Sequence, residues 1–350
     1  MYKRQASNYV ERNQFGQIVE QAGGVGLNAT TSADATRYFY SFPSNKLELW
    51  MSLEADRFTD PVFREFYEEK QVILEERETR VENSPIGTMV EAFLDAAFVE
   101  HPYRRPIIGY EADLYQATRD DVQEFFDRYY APSNLVIGIV GDVDPDEVKT
   151  LATAYFGRMP AGSPPPALEV NEPPQTELRQ FALELPSQPW YLEGYHRPAA
   201  TDPDDAVYSV IEGVLLGGRT ARLYQSLVED QQLVLSINGT STFPGDKYET
   251  MMLLYGLTAP GHTVDEVAIA LQAELERLTR EPVAPNELDR VKTNARAGLL
   301  RSLASNMGMA SLLVEYEAKT GDWRNLFQAL NDLEAVTAED VMRVAQTAFR

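Results

Sequence analysis

Cysteine is absent from this 350-residue chain, which excludes disulfides, thiolate nucleophiles and cysteine-ligated metal. Histidine is scarce. His101, His196 and His262 are the only three, and no two lie within a helical turn of each other, so no helix presents an imidazole pair to a metal ion. Positive charge is in deficit: 31 Lys+Arg against 54 Asp+Glu leave a net charge of −23, which opposes binding to nucleic acid or to an anionic membrane surface. No apolar run approaches the length of a membrane span. The opening Met1-Tyr2-Lys3-Arg4-Gln5 leads into a polar helical pattern without a signal-peptide core. A hydrophobic content of 44% is enough for sizeable cores. The balance suits a soluble chain, and the compartment, cytoplasm or periplasm, stays open.

Proline is present and clustered. Met159-Pro160-Ala161-Gly162-Ser163-Pro164-Pro165-Pro166 and then Pro173-Pro174 favour extended backbone and read as a semi-rigid linker. The expected organisation is a first domain over residues 1–160, a proline-rich linker over 161–177 and a second domain over 178–350. The halves read as copies. Asp113-Leu114-Tyr115-Gln116-Ala117-Thr118-Arg119-Asp120-Asp121-Val122 is echoed by Asp332-Leu333-Glu334-Ala335-Val336-Thr337-Ala338-Glu339-Asp340-Val341, 219 residues on. Thr118 and Thr337 are expected N-caps, each with an Asp three residues later as a capping box. Pro85-Ile86-Gly87-Thr88-Met89 is similarly echoed by Asn306-Met307-Gly308-Met309-Ala310.

Alternating Thr- and aromatic-rich stretches predict two strands over 25–42, turned at Ser32-Ala33-Asp34. Further strands are expected at 135–140, 181–185, 190–195, 233–241 and 249–257. Helices are expected near 47–58, 62–82, 86–99, 119–130, 145–155, 204–214, 219–228, 264–280, 285–304, 307–319, 323–331 and 338–347. Helices and strands group rather than alternate, which predicts an α+β fold: two duplicated domains, each a mostly antiparallel sheet covered by helices.

Glu69 and Glu76 stand seven residues apart within a predicted helix, so both carboxylates share one face, with Val72 and Ile73 between them. A functional carboxylate pair and a solvated charged face both fit this spacing. At the common offset the second half carries Leu288 and Ala295 at these places, so a role that needs the acids belongs to the first half alone.

Three features occur in a fixed order: Gly23-Gly24-Val25-Gly26-Leu27-Asn28-Ala29-Thr30-Thr31, the Glu69/Glu76 helix, and His101-Pro102-Tyr103-Arg104-Arg105-Pro106-Ile107-Ile108-Gly109. Tyr129-Tyr130-Ala131-Pro132-Ser133-Asn134 and, in the second half, Leu216-Gly217-Gly218-Arg219-Thr220-Ala221-Arg222-Leu223-Tyr224 follow. Together they resemble the pitrilysin/insulinase zinc metallopeptidases, the inverzincins, and most the bacterial relatives of mitochondrial processing peptidase. The resemblance runs over essentially the whole chain. It implies zinc-dependent cleavage of peptides or unfolded protein, with two histidines and a general-base glutamate from an H-x-x-E-H helix. Glu76 then matches the third zinc ligand and Glu69 a supporting glutamate. Leu27, Asn28, Ala29 and Thr30 match an edge strand to which peptide adds; an ordinary sheet strand is the other reading of the same residues.

Two departures qualify this. No H-x-x-E-H is present, and none of the residues before Gly23 is His. The expectation is therefore an N-terminally truncated member that lacks its first strands and zinc-binding helix, does not hold zinc alone and is inactive alone, or else a non-catalytic partner or scaffold for an active homologous subunit. The family's substrate-binding Arg and Tyr of the second domain, seven residues apart, are here Val228 and Leu235, neither of which can donate a side-chain hydrogen bond. The histidines have quieter readings: His101 caps or packs before Pro102, His196 follows an aromatic strand, and His262 precedes a helix start.

Overall fold

The computed structural model describes residues 6, 7, 10, 14–59 and 61–349. The chain forms two compact units, Met1–Arg179 with Met309–Ser311, and Gln180–Gly308 with Leu312–Arg350.

In the first unit the order is β1 (Ala6–Ser7), α1 (Gln14–Gln21), β2 (Val25–Thr31), β3 (Thr36–Ser41), α2 (Leu47–Thr59), β4 (Pro61–Val62), α3 (Phe66–Arg77), α4 (Pro85–Ala97), α5 (Glu111–Gln116), α6 (Arg119–Tyr129) and α7 (Pro145–Phe156). β2 and β3 form an antiparallel pair, and β1 pairs β4. The hairpin packs on α1 and α2 because its inward side chains are apolar: Leu27, Tyr40 and Phe42 close over buried Phe15, Val19 and Leu53. Gly24 lets the chain enter the strand, since a Cβ there would lie 2.5 Å from Val19 Cγ1. Beneath the hairpin, Tyr40 donates to buried Glu54 at 2.7 Å, and Glu54 also accepts from Arg57. Burial first, and the Glu54 carboxylate second, hold the Tyr40 hydroxyl well above its ordinary range. The Arg57 guanidinium lies 4.4 Å from the centre of the Tyr38 ring.

The second unit contains β5 (Trp190–Arg197), α8 (Asp205–Leu216), β6 (Val234–Phe243), β7 (Thr250–Thr258), α9 (Val264–Arg280), α10 (Pro285–Leu303), α11 (Asn306–Thr320, apart from Met309–Ser311), α12 (Asn325–Ala335) and α13 (Ala338–Ala348). Its sheet is antiparallel in the order β5-β7-β6. Ile211, Leu215, Met252, Leu254, Leu271, Leu278 and Val341 are fully buried in one core between sheet and helices. The helix expected at 219–228 is a π-helical turn at Tyr224–Asp230.

Two expected strands are not strands. Leu135–Val140 and Phe181–Leu185 carry strand-like side chains but no ladder, and Val136, Ile137, Phe181 and Leu183 are exposed. Apolar alternation specifies a strand only where a neighbour supplies hydrogen bonds.

The duplication is visible in the helix starts. Thr118 and Thr337 each cap their helix within a full capping box closed by Asp121 and Asp340. Ser84 and Ser305 cap α4 and α11 by accepting from Gly87 N and Gly308 N. Both glycines are sterically required: a Cβ would lie 1.9 Å from Arg80 O at Gly87 and 2.1 Å from Ser302 O at Gly308. The partner carbonyl is seven residues back in the first half and six in the second. The extra residue falls in a π-helical turn, Glu78–Glu82, that continues α3, the usual way a helix absorbs a one-residue insertion. Upstream of that turn the offset between halves becomes 222. Glu69 and Glu76 therefore correspond to Val291 and Gly298, not to the Leu288 and Ala295 given by a single offset. Neither is a carboxylate, and Val291 is buried in the second core.

Candidate functional site

Glu69 and Glu76 both lie on α3. The helix is well specified locally, with Glu68 and Glu69 in its first turn complementing the macrodipole. Its rotation is set by two cations that also stand seven apart. Lys70 Nζ donates to the carbonyls of Tyr115 (2.6 Å) and Ala117 (2.9 Å) at the end of α5. Arg77 is buried; its Nη1 donates to Gly109 O at 2.6 Å and its Nη2 to Glu91 Oε1 at 3.1 Å. Glu91 Oε2 and Glu82 Oε1 complete the ion cluster, each 2.8 Å from a guanidinium nitrogen. Each carboxylate of the pair directly precedes one of these anchors, so the anchored face fixes where Glu69 and Glu76 leave the helix.

Glu76 forms an ion pair with Arg80 at 2.9 Å, with 42% of its side chain exposed. Glu69 is partly buried. Val72 is 47% exposed, so the apolar residue expected between the acids is at the surface and does not enclose them. Sequence reasoning missed Arg77, although its charge directly after Glu76 was a visible signal.

β2 supplies the other half of the candidate site. Ser32 N donates to Ala35 O at 2.9 Å, closing a two-residue turn. Bonded and non-bonded pairs alternate along an antiparallel ladder. With partners Thr31↔Thr36, Thr30↔Arg37, Ala29↔Tyr38 and Asn28↔Phe39, the bonded pairs are Thr30 with Arg37 and Asn28 with Phe39. The N–H and C=O of Ala29 and Thr31 consequently face away from β3. Thr31 Oγ1 and Thr36 Oγ1, 3.5 Å apart, show the close side chains of a non-bonded pair. Ala29 N–H donates to Asn28 Oδ1 at 2.9 Å. Asn28 and Thr30 are exposed, whereas Leu27 and Ala29 are partly buried. Among the described residues β2 has β3 as its only strand partner.

The His101–Gly109 segment braces this hairpin. His101 caps a short turn, its Nδ1 accepting from Tyr103 N at 3.1 Å, and Tyr103 OH donates to Asp34 in the β2–β3 turn. Glu172 of the proline-rich stretch accepts from the backbone N–H groups of Val99, Glu100 and His101 at 2.7–3.0 Å. Arg179 donates to the carbonyls of Ala96 and Ala97 at the end of α4.

His196 lies in β5 opposite Met251. His262 is 3.5 Å from Glu266. Among the described residues no three His, Asp or Glu side chains are placed to share a metal ion, and no helix is long and apolar enough to cross a membrane. In the second unit Val228 packs on the core. Leu235 lines a concavity of about 250 Å³ with Arg219, Tyr224, Ser236 and Asn238.

Residues 1–111 match the insulinase family (peptidase family M16), and residues 116–295 match the peptidase M16 inactive domain. Zinc protease PqqE of Helicobacter pylori is 29% identical over 353 residues, 97% of this chain and 77% of that protein. An uncharacterized zinc protease of Bacillus subtilis, YmxG, is 25% identical, over 95% of this chain and 81% of its own. The crystal structure of a protease from Helicobacter pylori superposes with a TM-score of 0.94 at 28% identity, covering 100% of this chain and 84% of that one. The peptidase M16 inactive domain from Pseudomonas fluorescens, 19% identical, shares the fold with a TM-score of 0.84 over 99% of this chain and 83% of that one.

Proposed function

The chain belongs to the insulinase family of peptidases, M16, and from that premise we propose that it binds extended or unfolded polypeptide along the outer edge of β2 but needs a zinc-binding helix from elsewhere to cleave it. The observation that carries the binding half is that β2 pairs on one side only among the described residues, with the backbone groups of Ala29 and Thr31 directed outward. An extended peptide supplies the matching donors and acceptors, and its affinity then comes from backbone rather than from a particular side-chain sequence.

The cleavage half rests on donor chemistry. Relatives of this chain are named zinc proteases, and a catalytic zinc takes about three protein ligands with one open position. In this reading Glu76 is the remnant third ligand and Glu69 its support. The residues present do not fit the ion by themselves: Glu76 is paired with Arg80, no second and third donor accompany it among the described residues, and the sequence has no H-x-x-E-H. The same donor count supports a second reading, a non-catalytic subunit that presents peptide to an active homologue.

Peptidase assays on an unfolded polypeptide such as casein, with zinc added, test this. No chelator-sensitive cleavage is expected from the chain alone, and cleavage is expected when an H-x-x-E-H segment is joined upstream. Zinc-dependent cleavage by the chain alone, abolished by Glu76→Gln, would overturn the reading. Failure of the joined form to cleave, with peptide binding intact, would favour the non-catalytic subunit.

A further inference from the structure

We infer that Asn28 covers the peptide-accepting edge: its side-chain carbonyl occupies the Ala29 N–H that an incoming strand must take, so Asn28 sets how readily polypeptide adds to β2. This inference rests on the binding reading above. Of the two residues whose backbone faces outward, Ala29 has its N–H held internally, by Asn28 Oδ1 at 2.9 Å. The interaction lies at the surface, where water would otherwise serve both groups. It is unimolecular, so it competes with any ligand at every concentration. Exposed strand edges invite unwanted pairing, and proteins blunt them with local devices; a side chain folded onto the next N–H is such a device and is reversible.

The occupant that displaces it is an extended polypeptide segment. The outward groups recur at alternate residues, Ala29 and Thr31, which is the repeat of a strand backbone. The side chains of Asn28 and Thr30 are exposed, so rotation of Asn28 requires no repacking of the core. Once rotated, Asn28 leaves the Ala29 N–H to a peptide carbonyl.

The test uses the full chain and fluorescein-labelled casein, read by fluorescence anisotropy, with amide hydrogen exchange at Ala29 read alongside. Asn28→Ala removes the competitor, so affinity should rise about two- to tenfold, the range for one net hydrogen bond. Exchange at Ala29 should quicken to match Thr31. Asn28→Asp offers a charged acceptor, a stronger partner for the N–H, and affinity should fall. Ala29→Pro deletes the N–H while leaving the β3 ladder intact, because that N–H faces outward, and binding should be lost with the thermal melt preserved. If Asn28→Ala leaves affinity unchanged or weakens it while Ala29→Pro still abolishes binding, the cover is wrong and the edge reading stands. If binding survives Ala29→Pro, the edge reading itself fails and the cover with it. Binding seen only in Asn28→Ala supports the cover, and absence of binding in every form refutes both.

Discussion

Replacing Arg77 with Met tests whether the helix that carries Glu69 and Glu76 is held by a buried charge. Methionine keeps most of the aliphatic stem and volume, so the packing term is small. What is lost is the donation to Gly109 O and the cluster with Glu91 and Glu82. Hydrogen bonds to charged groups contribute roughly 1.5–3 kcal/mol, and stranding one member of a buried ion pair costs roughly 3–5 kcal/mol. Glu82 is 38% exposed and regains water, so its share is discounted; Glu91, 25% exposed, is only partly relieved. The expected loss is about 2–4 kcal/mol. Urea unfolding measures it, followed by Trp50 fluorescence in a Trp190→Phe/Trp323→Phe background, since these are the three tryptophans of the chain and Trp50 alone reports the first unit. With two units, separate transitions are to be fitted separately. A cycle with Glu91→Gln should give coupling of about 1–2 kcal/mol. A change within about 0.5 kcal/mol of the parent, or zero coupling, would refute an Arg77 anchor.

Two other outcomes follow from local geometry. Gly87→Ala and Gly308→Ala should each lower stability by about 1–3 kcal/mol or more, because the added Cβ meets a backbone carbonyl. Gly298→Ala, whose nearest neighbour is the end of the Arg301 side chain at 4.0 Å, should instead raise it by roughly 0.5–1 kcal/mol; thermal melts compare the three. The Asp340 carboxyl is held below its ordinary range, first by the Thr337 hydroxyl and then by the Thr337 backbone N–H. Its stabilisation is therefore full above the unfolded pKa of about 3.9 and is lost as pH falls through the lower folded value. Asp340→Ala should cost stability at neutral pH, and the gap to the parent should close as melts are taken further into acid. A gap that does not depend on pH would contradict the carboxylate cap.

What could be read from the residues was what is local. The capping boxes at Thr118 and Thr337, the glycine-marked helix starts and the α3 placement of Glu69 and Glu76 follow from side chains within a few positions of one another. Leu135–Val140 and Phe181–Leu185 were misread because a strand is defined by a neighbour that the segment does not name. The correspondence of Glu76 with Ala295 failed because the offset is not constant: it is 219 at Asp113/Asp332, 221 at Gly87/Gly308 and 222 upstream of the π-helical turn, and that turn hides the last step from any fixed offset. The charge of Arg77 was visible, but its Glu91 partner and the Glu172 contacts were not: these partners lie 14 and 71–73 residues away in sequence, and single long-range polar contacts leave no periodicity.

The proline-rich stretch has a consequence for where the first unit can be cut. With Glu172 filling three N–H groups before and at His101, and Arg179 closing the carbonyl end of α4, this stretch is tied by both signs of charge to the surface it crosses. It is a strap of the first unit, not free tether. A first half excised after Met159 would bare four or more backbone groups that the strap now satisfies, next to the segment whose Tyr103 steadies the β2–β3 turn. Severed after Arg179, the same half would carry its own cover away with it, and the first compact unit accordingly runs to Arg179, well past the end of its last helix at Phe156.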